Sequence, residues 1–323
     1  MRRISLIGVL VLLLPTVATG ATKDTKLALV AYSTPKDAFA KIIPAFQKTS
    51  AGKAVAFSQS YGASGEQARA IATGLPADIA FLSLAPDMDT LVKAHIVSPS
   101  WSKNAYKGIV TKSVVVFVVR GGNPKHIRTW SDLLKPGVQV VTPNPFTSGG
   151  ARWNVMAAYG GALRAGKTKK QAISYLTQLF QKHVVAQPSS AREALQTFLA
   201  GKGDVLLSYE NEAILAKNKG QAINWVAPKA TILIENPIAV TSTTKHAKEA
   251  KAFVKYLYTS QAQTLFAQTG YRPVLKSVSR KFQFTSPKQM FTIGYVGGWT
   301  SVQKAFFDPN NSVMATIERS LGG

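Results

Sequence analysis

The segment VQVVTPNPFTSGGARWN, residues 138–154, places a short apolar run directly before a turn rich in proline and glycine. The run Val138–Val141 predicts a buried strand that ends at the prolines, because proline donates no hydrogen bond to a sheet. A helix is predicted from Ser148, since serine is a favoured N-cap. The first N–H groups of a helix have no partner within it, and together with the positive end of the helix dipole they suit a small oxyanion. The segment therefore predicts a strand–turn–helix unit that can hold an anion.

Strand and helix patterns alternate along the chain outside this unit. Such alternation is typical of mostly parallel α/β sheets flanked by helices. The predicted strands lie at residues 26–32, 54–60, 77–84, 113–120, 138–141, 204–208 and 231–240, and the predicted helices at 37–47, 64–73, 148–163, 170–180, 191–199 and 247–266.

Two of the predicted strands, 113–119 and 231–240, are long enough to cross between two lobes. We therefore predict a two-lobe α/β fold joined by two extended crossings. Residues 289–320 are expected to form helices that pack back on the first lobe. The predicted division is a signal peptide at residues 1–21, a first lobe at 22–112 plus 238–323, and a second lobe at 113–237.

The N-terminus has the pattern of a secretory signal peptide. Met1-Arg2-Arg3 precedes the apolar run 4–14, and small residues follow at 18–21. The apolar run is shorter than the about 20 residues that span a bilayer. We therefore predict export by the general secretory route and a periplasmic or other extracytoplasmic location. The chain contains no cysteine, so neither a lipid anchor on cysteine nor a disulfide is expected.

The chain is strongly basic, with a formal net charge of +24 from 39 Lys and Arg and 15 Asp and Glu. This charge favours anionic partners in general. The lysines are dispersed, and the densest cluster is Lys167-Thr168-Lys169-Lys170. We therefore predict a solvated basic surface and no nucleic-acid partner, while an envelope protein that binds polyanions stays an alternative.

Three turns of small and hydroxyl residues each precede a predicted helix, at residues 61–64, 146–149 and 188–191. Helix capping by serine explains any one of them alone. Their repetition, once in the first lobe and twice in the second, predicts a ligand cleft between the lobes. Tyr209 follows a strand of the second lobe, where its hydroxyl can reach this cleft.

Other motifs predict no catalytic residue, cofactor or metal. GALRAGKT at residues 161–168 fits the phosphate-loop expression, but that motif needs a strand before its first glycine, and here a helix continues. The four histidines are far apart in the sequence. The acidic pairs Asp87/Asp89 and Glu210/Glu212 are expected to form ion pairs, with a hydrolase as the alternative that they leave open.

Four stretches together resemble the periplasmic sulfate- and thiosulfate-binding proteins of ABC importers over nearly the whole mature chain. They are QSYGASGEQA at 59–68, PNPFTSGGARWN at 143–154, GDVL at 203–206 with YENE at 209–212, and YRP at 271–273. The resemblance implies a type II two-lobe binding fold in which uncharged donors hold a dehydrated sulfate. It also implies a monomeric receptor, not an enzyme, that delivers the anion to an ABC permease.

The resemblance assigns ligand-binding positions residue by residue. Two positions depart from the family pattern: Ser33 follows Tyr32 where many members have aspartate, and Tyr209 stands where many have tryptophan. The family contact at Ser33 is a backbone N–H, whereas Tyr209 leaves the choice among sulfate, thiosulfate and molybdate or tungstate open. The implied ligand residues are Ser33, Ser64, Ser148, Gly149, Gly150, Ala191 and Tyr209.

Overall fold

The computed structural model of the chain describes residues 25–322, so the predicted signal peptide lies outside the described residues. The strands are β1 Thr25–Tyr32, β2 Val55–Gly62, β3 Ile79–Phe81, β4 Ile109–Arg120, β5 Val140–Val141, β6 Val184–Ala186, β7 Val205–Tyr209, β8 Ile223–Val226, β9 Ala230–Val240, β10 Arg272–Pro273 and β11 Gln289–Phe291. The helices are α1 Lys36–Gln47, α2 Ser64–Ala72, α3 Ala85–Lys93, α4 Gly149–Arg164, α5 Lys169–Lys182, α6 Ala191–Leu199, α7 Glu210–Asn218, α8 Ala247–Leu257, α9 Ser260–Gln268, α10 Lys276–Ser279, α11 Gly298–Phe307 and α12 Val313–Arg319. Within this range, no helix has the length and apolarity that a membrane crossing requires.

The strands form a mixed sheet in the order β2-β1-β3-β9-β4-β7-β5-β6. β1 runs parallel to β2 and β3 in the first lobe, and β5 runs parallel to β6 and β7 in the second. The antiparallel pair β4 and β9 joins the two groups, because β9 also pairs with β3 and β4 also pairs with β7. The predicted two-lobe α/β fold with two extended crossings is confirmed.

β4 is a long central strand of the sheet. Its residues 113–120, SVVVFVVR, are rich in β-branched residues, which favour strands. Val115, Phe117 and Val119 contribute to one apolar cluster, and Val114 and Val118 to another on the opposite face. Both faces are buried because helices cover the sheet on each side, as a strand with consecutive apolar residues predicts.

The C-terminal part of the chain differs from the prediction. β11 pairs in parallel with β9, and Phe306 of α11 packs edge-to-face on Tyr159 of α4 with ring centroids 4.8 Å apart. Gln187 Nε2, at the end of β6, donates to Glu318 Oε2 of α12 at 3.0 Å. These elements therefore contact the second lobe, while α11 also contacts α3 of the first lobe, and residues 289–291 form a strand where helix was expected. The cause is tertiary, since a glycine at position 160 leaves space for the Phe291 ring.

The GALRAGKT stretch is the end of a helix, not a phosphate loop. α4 continues to Arg164, and Gly166 ends it with φ of +84°, a left-handed conformation that favours glycine. Because Gly161 lies inside α4 with no strand directly before it, the expectation that this stretch continues a helix is confirmed.

Candidate functional site

The N-termini of α2, α4 and α6 converge where the two lobes meet. Gly65 N–H, in the first turn of α2, donates to Thr147 O at 3.0 Å, just before α4. Thr147 Oγ1 in turn donates to Ser189 O at 2.7 Å, just before α6. A Cβ placed on Gly150 would lie 3.2 Å from Ala191 Cβ, so the starts of α4 and α6 are also in contact. The three turns that the sequence singled out therefore form one site.

Backbone donors at these helix starts are free. Within residues 25–322, no hydrogen bond uses the N–H of Ser64, Gly149, Gly150 or Ala191. Each is one of the first N–H groups of its helix and therefore has no partner inside the helix. The positive ends of three helix dipoles thus face one point, which favours a negative ligand.

Ser148 provides a further free donor. It occupies the N-cap position of α4, yet its hydroxyl makes no capping hydrogen bond, and the residue is only 2% exposed. Among the described residues no hydrogen-bond partner contacts Ser148 Oγ, and this oxygen itself is not fully buried. The Ser148 Oγ is therefore available to a bound ligand.

The Ser64 hydroxyl, in contrast, is already engaged. Its Oγ donates to Asp87 Oδ2 at 2.5 Å and accepts the N–H of Ser83 at 2.8 Å. Burial raises the pKa of the Asp87 carboxyl, while Arg152 and the Ser64 hydroxyl act in the lowering direction. Arg152 Nη1, in the second lobe, lies 3.7 Å from Asp87 Oδ1 in the first, so the two side chains form an ion pair between the lobes. Only the main-chain N–H of Ser64 is therefore left for a ligand.

Tyr209 reaches from the second lobe to the first. Its Oη lies 2.7 Å from Ser83 Oγ, and the residue is 2% exposed. Burial raises the pKa of the Tyr209 phenol well above its ordinary value, so the hydroxyl keeps its proton. Sequence reasoning missed Ser83, although a polar residue at the carboxyl end of a predicted parallel strand is a signal for such a role.

Ser33, in the first lobe, contacts the start of α6 in the second. Its Oγ accepts a hydrogen bond from the main-chain N–H of Arg192 at 3.3 Å. The Arg192 guanidinium donates to Asp37 and to Glu212, each at 2.9 Å, and Lys219 also contacts Asp37. The expectation that Glu212 forms an ion pair is confirmed, and because carboxylates hold the Arg192 guanidinium, the free donors facing the cleft are uncharged.

The described residues of the site form no cluster of metal ligands. Among the described residues, no three histidine, cysteine, aspartate or glutamate side chains are close enough together to hold a metal ion. The carboxylates near the cleft are in ion pairs instead. Asp87 lies near Arg152, and Glu212 is bound by Arg192.

A bilobed α/β fold with free helix-start donors between its lobes is the architecture of extracytoplasmic binding proteins. The chain belongs to the family of bacterial extracellular solute-binding proteins, whose model matches residues 27–272. It is 42% identical to the sulfate-binding protein of Synechococcus elongatus over 299 residues, which cover 89% of this chain and 85% of that protein. The thiosulfate-binding protein of Pseudomonas aeruginosa is 36% identical over 86% of this chain and 88% of its own length.

A solved structure has the same fold over most of the chain. The sulfate-binding protein SubI from Mycobacterium tuberculosis H37Rv is 45% identical, with a TM-score of 0.85. The match covers 88% of this chain and all of that structure. The two-lobe arrangement is therefore shared with a solved binding protein.

Proposed function

We propose that this protein is an extracytoplasmic receptor that captures sulfate, or the related thiosulfate, in the cleft between its lobes and delivers it to an ABC permease. The observation that carries the proposal is the set of unpaired, uncharged donors at the converging starts of α2, α4 and α6. The names of the sulfate- and thiosulfate-binding relatives support the choice of ligand. The proposed role is binding and transport, without catalysis or a cofactor.

The proposed ligand contacts are the predicted ones with one refinement. Ser148 contributes its hydroxyl, and Ser64 contributes its main-chain N–H. Tyr209 contributes its phenolic hydroxyl, while Ser33 is proposed to act through its backbone. The full proposed set is Ser33, Ser64, Ser148, Gly149, Gly150, Ala191 and Tyr209.

The chemistry of sulfate suits such donors. Fully ionised sulfate has only acceptor oxygens, so each donor of the cleft gains a partner when the ligand binds. Each hydrogen bond to a charged group contributes roughly 1.5 to 3 kcal/mol, so several together offset the removal of the anion from water. Closure of the lobes then creates the surface that a permease can recognise.

We also propose how the protein is exported, its oligomeric state and the boundaries of its lobes. Residues 1–21 act as the signal peptide for export, and the exported protein works as a monomer. We propose lobes of 22–112 plus 238–323 and of 113–237, with α11 in contact with both, since it packs on α4 through Phe306 and Tyr159 and also contacts α3.

Titration calorimetry on ligand-free protein tests the ligand. Sulfate is expected to bind with a stoichiometry of one. The affinities of thiosulfate and molybdate, measured under the same conditions, show which anion the cleft prefers. The absence of any heat of binding with sulfate would contradict the proposed function.

Replacing Ser148 with alanine separates binding from stability. The expected result is a loss of sulfate affinity of about 10- to 100-fold, because one hydrogen bond to a charged ligand is removed. The free energy of unfolding is expected to stay unchanged, because the Ser148 hydroxyl makes no capping bond. Calorimetry measures the first quantity and urea unfolding the second.

Ser312→Ala is the matched control. The Ser312 hydroxyl accepts the Ala315 N–H at 3.2 Å and caps α12. Its loss is expected to cost about 1 kcal/mol of stability and no sulfate affinity. An unchanged affinity in Ser148→Ala would exclude this hydroxyl from the site.

A further inference from the structure

Ser83 and Tyr209 form a pair of buried hydroxyl groups that spans the two lobes. The oxygens are 2.7 Å apart, and either can be the donor. A Cβ on Gly149 would lie 2.7 Å from Ser83 Oγ, and a Cβ on Gly150 would lie 3.2 Å from Tyr209 Oη. The pair therefore lies directly beside the two glycines whose N–H groups are free.

Such a pair can present either a donor or an acceptor to a ligand. When Ser83 donates to Tyr209, the Tyr209 proton is free for an acceptor oxygen of the ligand. When Tyr209 donates to Ser83, the Tyr209 oxygen can accept a hydrogen bond from a hydroxyl of the ligand, and the Ser83 O–H is free to donate to another ligand oxygen. An indole N–H at the same position can only donate.

The carboxylates around the cleft already have partners. Asp87 accepts the Ser64 hydroxyl and lies near Arg152, and Arg192 binds both Asp37 and Glu212. A ligand that carries a hydroxyl therefore finds an uncharged acceptor at the Ser83–Tyr209 pair.

We propose that the Ser83–Tyr209 pair widens the ligand range of the cleft to tetrahedral oxyanions that carry one proton, with hydrogen phosphate as the test case. This inference rests on the proposed function, since it concerns the same cleft. Without an acceptor, the proton of such an anion would face only donors, and a buried polar group without a partner is costly.

The test compares sulfate and inorganic phosphate by calorimetry at about pH 8, where phosphate carries a single proton. Wild-type protein is expected to bind both anions. Tyr209→Trp changes a proposed ligand contact and is expected to lower phosphate affinity at least about tenfold more than it lowers sulfate affinity, because the indole can donate to either anion but cannot accept. Ser83→Ala is expected to weaken phosphate more than sulfate, because Tyr209 loses the oxygen to which it donates. Ser83→Ala also provides a smaller change if the larger indole disturbs the cleft.

Ser98→Ala is the matched control. The Ser98 hydroxyl pairs with Ser100 Oγ at 2.8 Å on the exposed surface, so its removal should change neither affinity. A ratio of phosphate to sulfate affinity that is equal in wild type, Tyr209→Trp and Ser83→Ala would overturn the inference and leave sulfate binding intact. Failure of the wild type to bind sulfate would instead overturn the proposed function.

Discussion

Replacing Gly149 with valine is expected to reduce sulfate affinity by about 100-fold or more, equal to roughly 3 kcal/mol. A Cβ on Gly149 would lie 2.3 Å from Leu84 Cδ2 and 2.7 Å from Ser83 Cβ. These contacts are far shorter than van der Waals distance, and the two atoms belong to the opposite lobe. Opening of the cleft relieves the clash, so the variant should fold but fail to close over the anion. Calorimetry with sulfate measures the loss.

Gly294→Ala is the control for this substitution. A Cβ there would meet only Thr292 Oγ1 at 3.5 Å, an ordinary contact away from the donor turns. Its sulfate affinity is expected to equal that of the wild type. If Gly149→Val bound sulfate as tightly as the control, close apposition of the lobes at this glycine would not be part of the binding mechanism.

Replacing Arg192 with methionine is expected to lower the free energy of unfolding by about 3 to 5 kcal/mol, because it leaves a buried carboxylate without its partner. Arg192 Nε and Nη2 donate to the two oxygens of Glu212, a side chain with no exposed surface, and Arg192 Nη1 donates to Asp37 of the other lobe. Sulfate affinity should also fall, since the contact between lobes through Asp37 is lost. Urea unfolding at pH 7 checks the stability.

The loss of unfolding free energy in Arg192→Met is expected to change with pH in one direction. Burial raises the pKa of Glu212, and Arg192 acts to lower it. In the variant the guanidinium no longer lowers the Glu212 pKa, while burial still raises it. The folded state therefore favours protonated Glu212. The stability deficit of Arg192→Met is therefore expected to shrink as the pH falls toward the ordinary pKa range of a carboxyl group.

Lys112→Met supplies the matched comparison at a surface ion pair. Lys112 Nζ lies 3.1 Å from Glu235 Oε1, and both side chains are about one-third exposed, at 34% and 32%. Breaking this pair should cost no more than about 1 kcal/mol. Equal losses in the two variants would show that the buried network around Arg192 does not stabilise the protein as described.

The regular part of the fold could be predicted from local sequence. The β-branched run of β4 and the serine before α4 specify a strand and a helix start without reference to distant residues. The repetition of small-residue turns also indicated which helix starts would meet. These signals are local in sequence, and they agree with the architecture that tertiary packing requires.

The partners of the site residues could not be predicted in the same way. Ser83 joins Tyr209 over 126 positions in the chain, and the bond depends on how closely the two lobes approach. The short strand β11 has three residues and no distinctive pattern, so its pairing with β9 depends on the shape of α4 at Gly160. Contacts of this kind are set by packing over long sequence separations, which periodicity does not encode.

A crystal structure of the exported protein grown with sulfate tests the central claim most directly. The account predicts one sulfate between the lobes, accepting hydrogen bonds from the Ser148 hydroxyl and from the N–H groups of Ser64, Gly149, Gly150 and Ala191, with no lysine or arginine side chain in contact. A sulfate bound only on the basic surface, with the helix starts of the cleft empty, would contradict it.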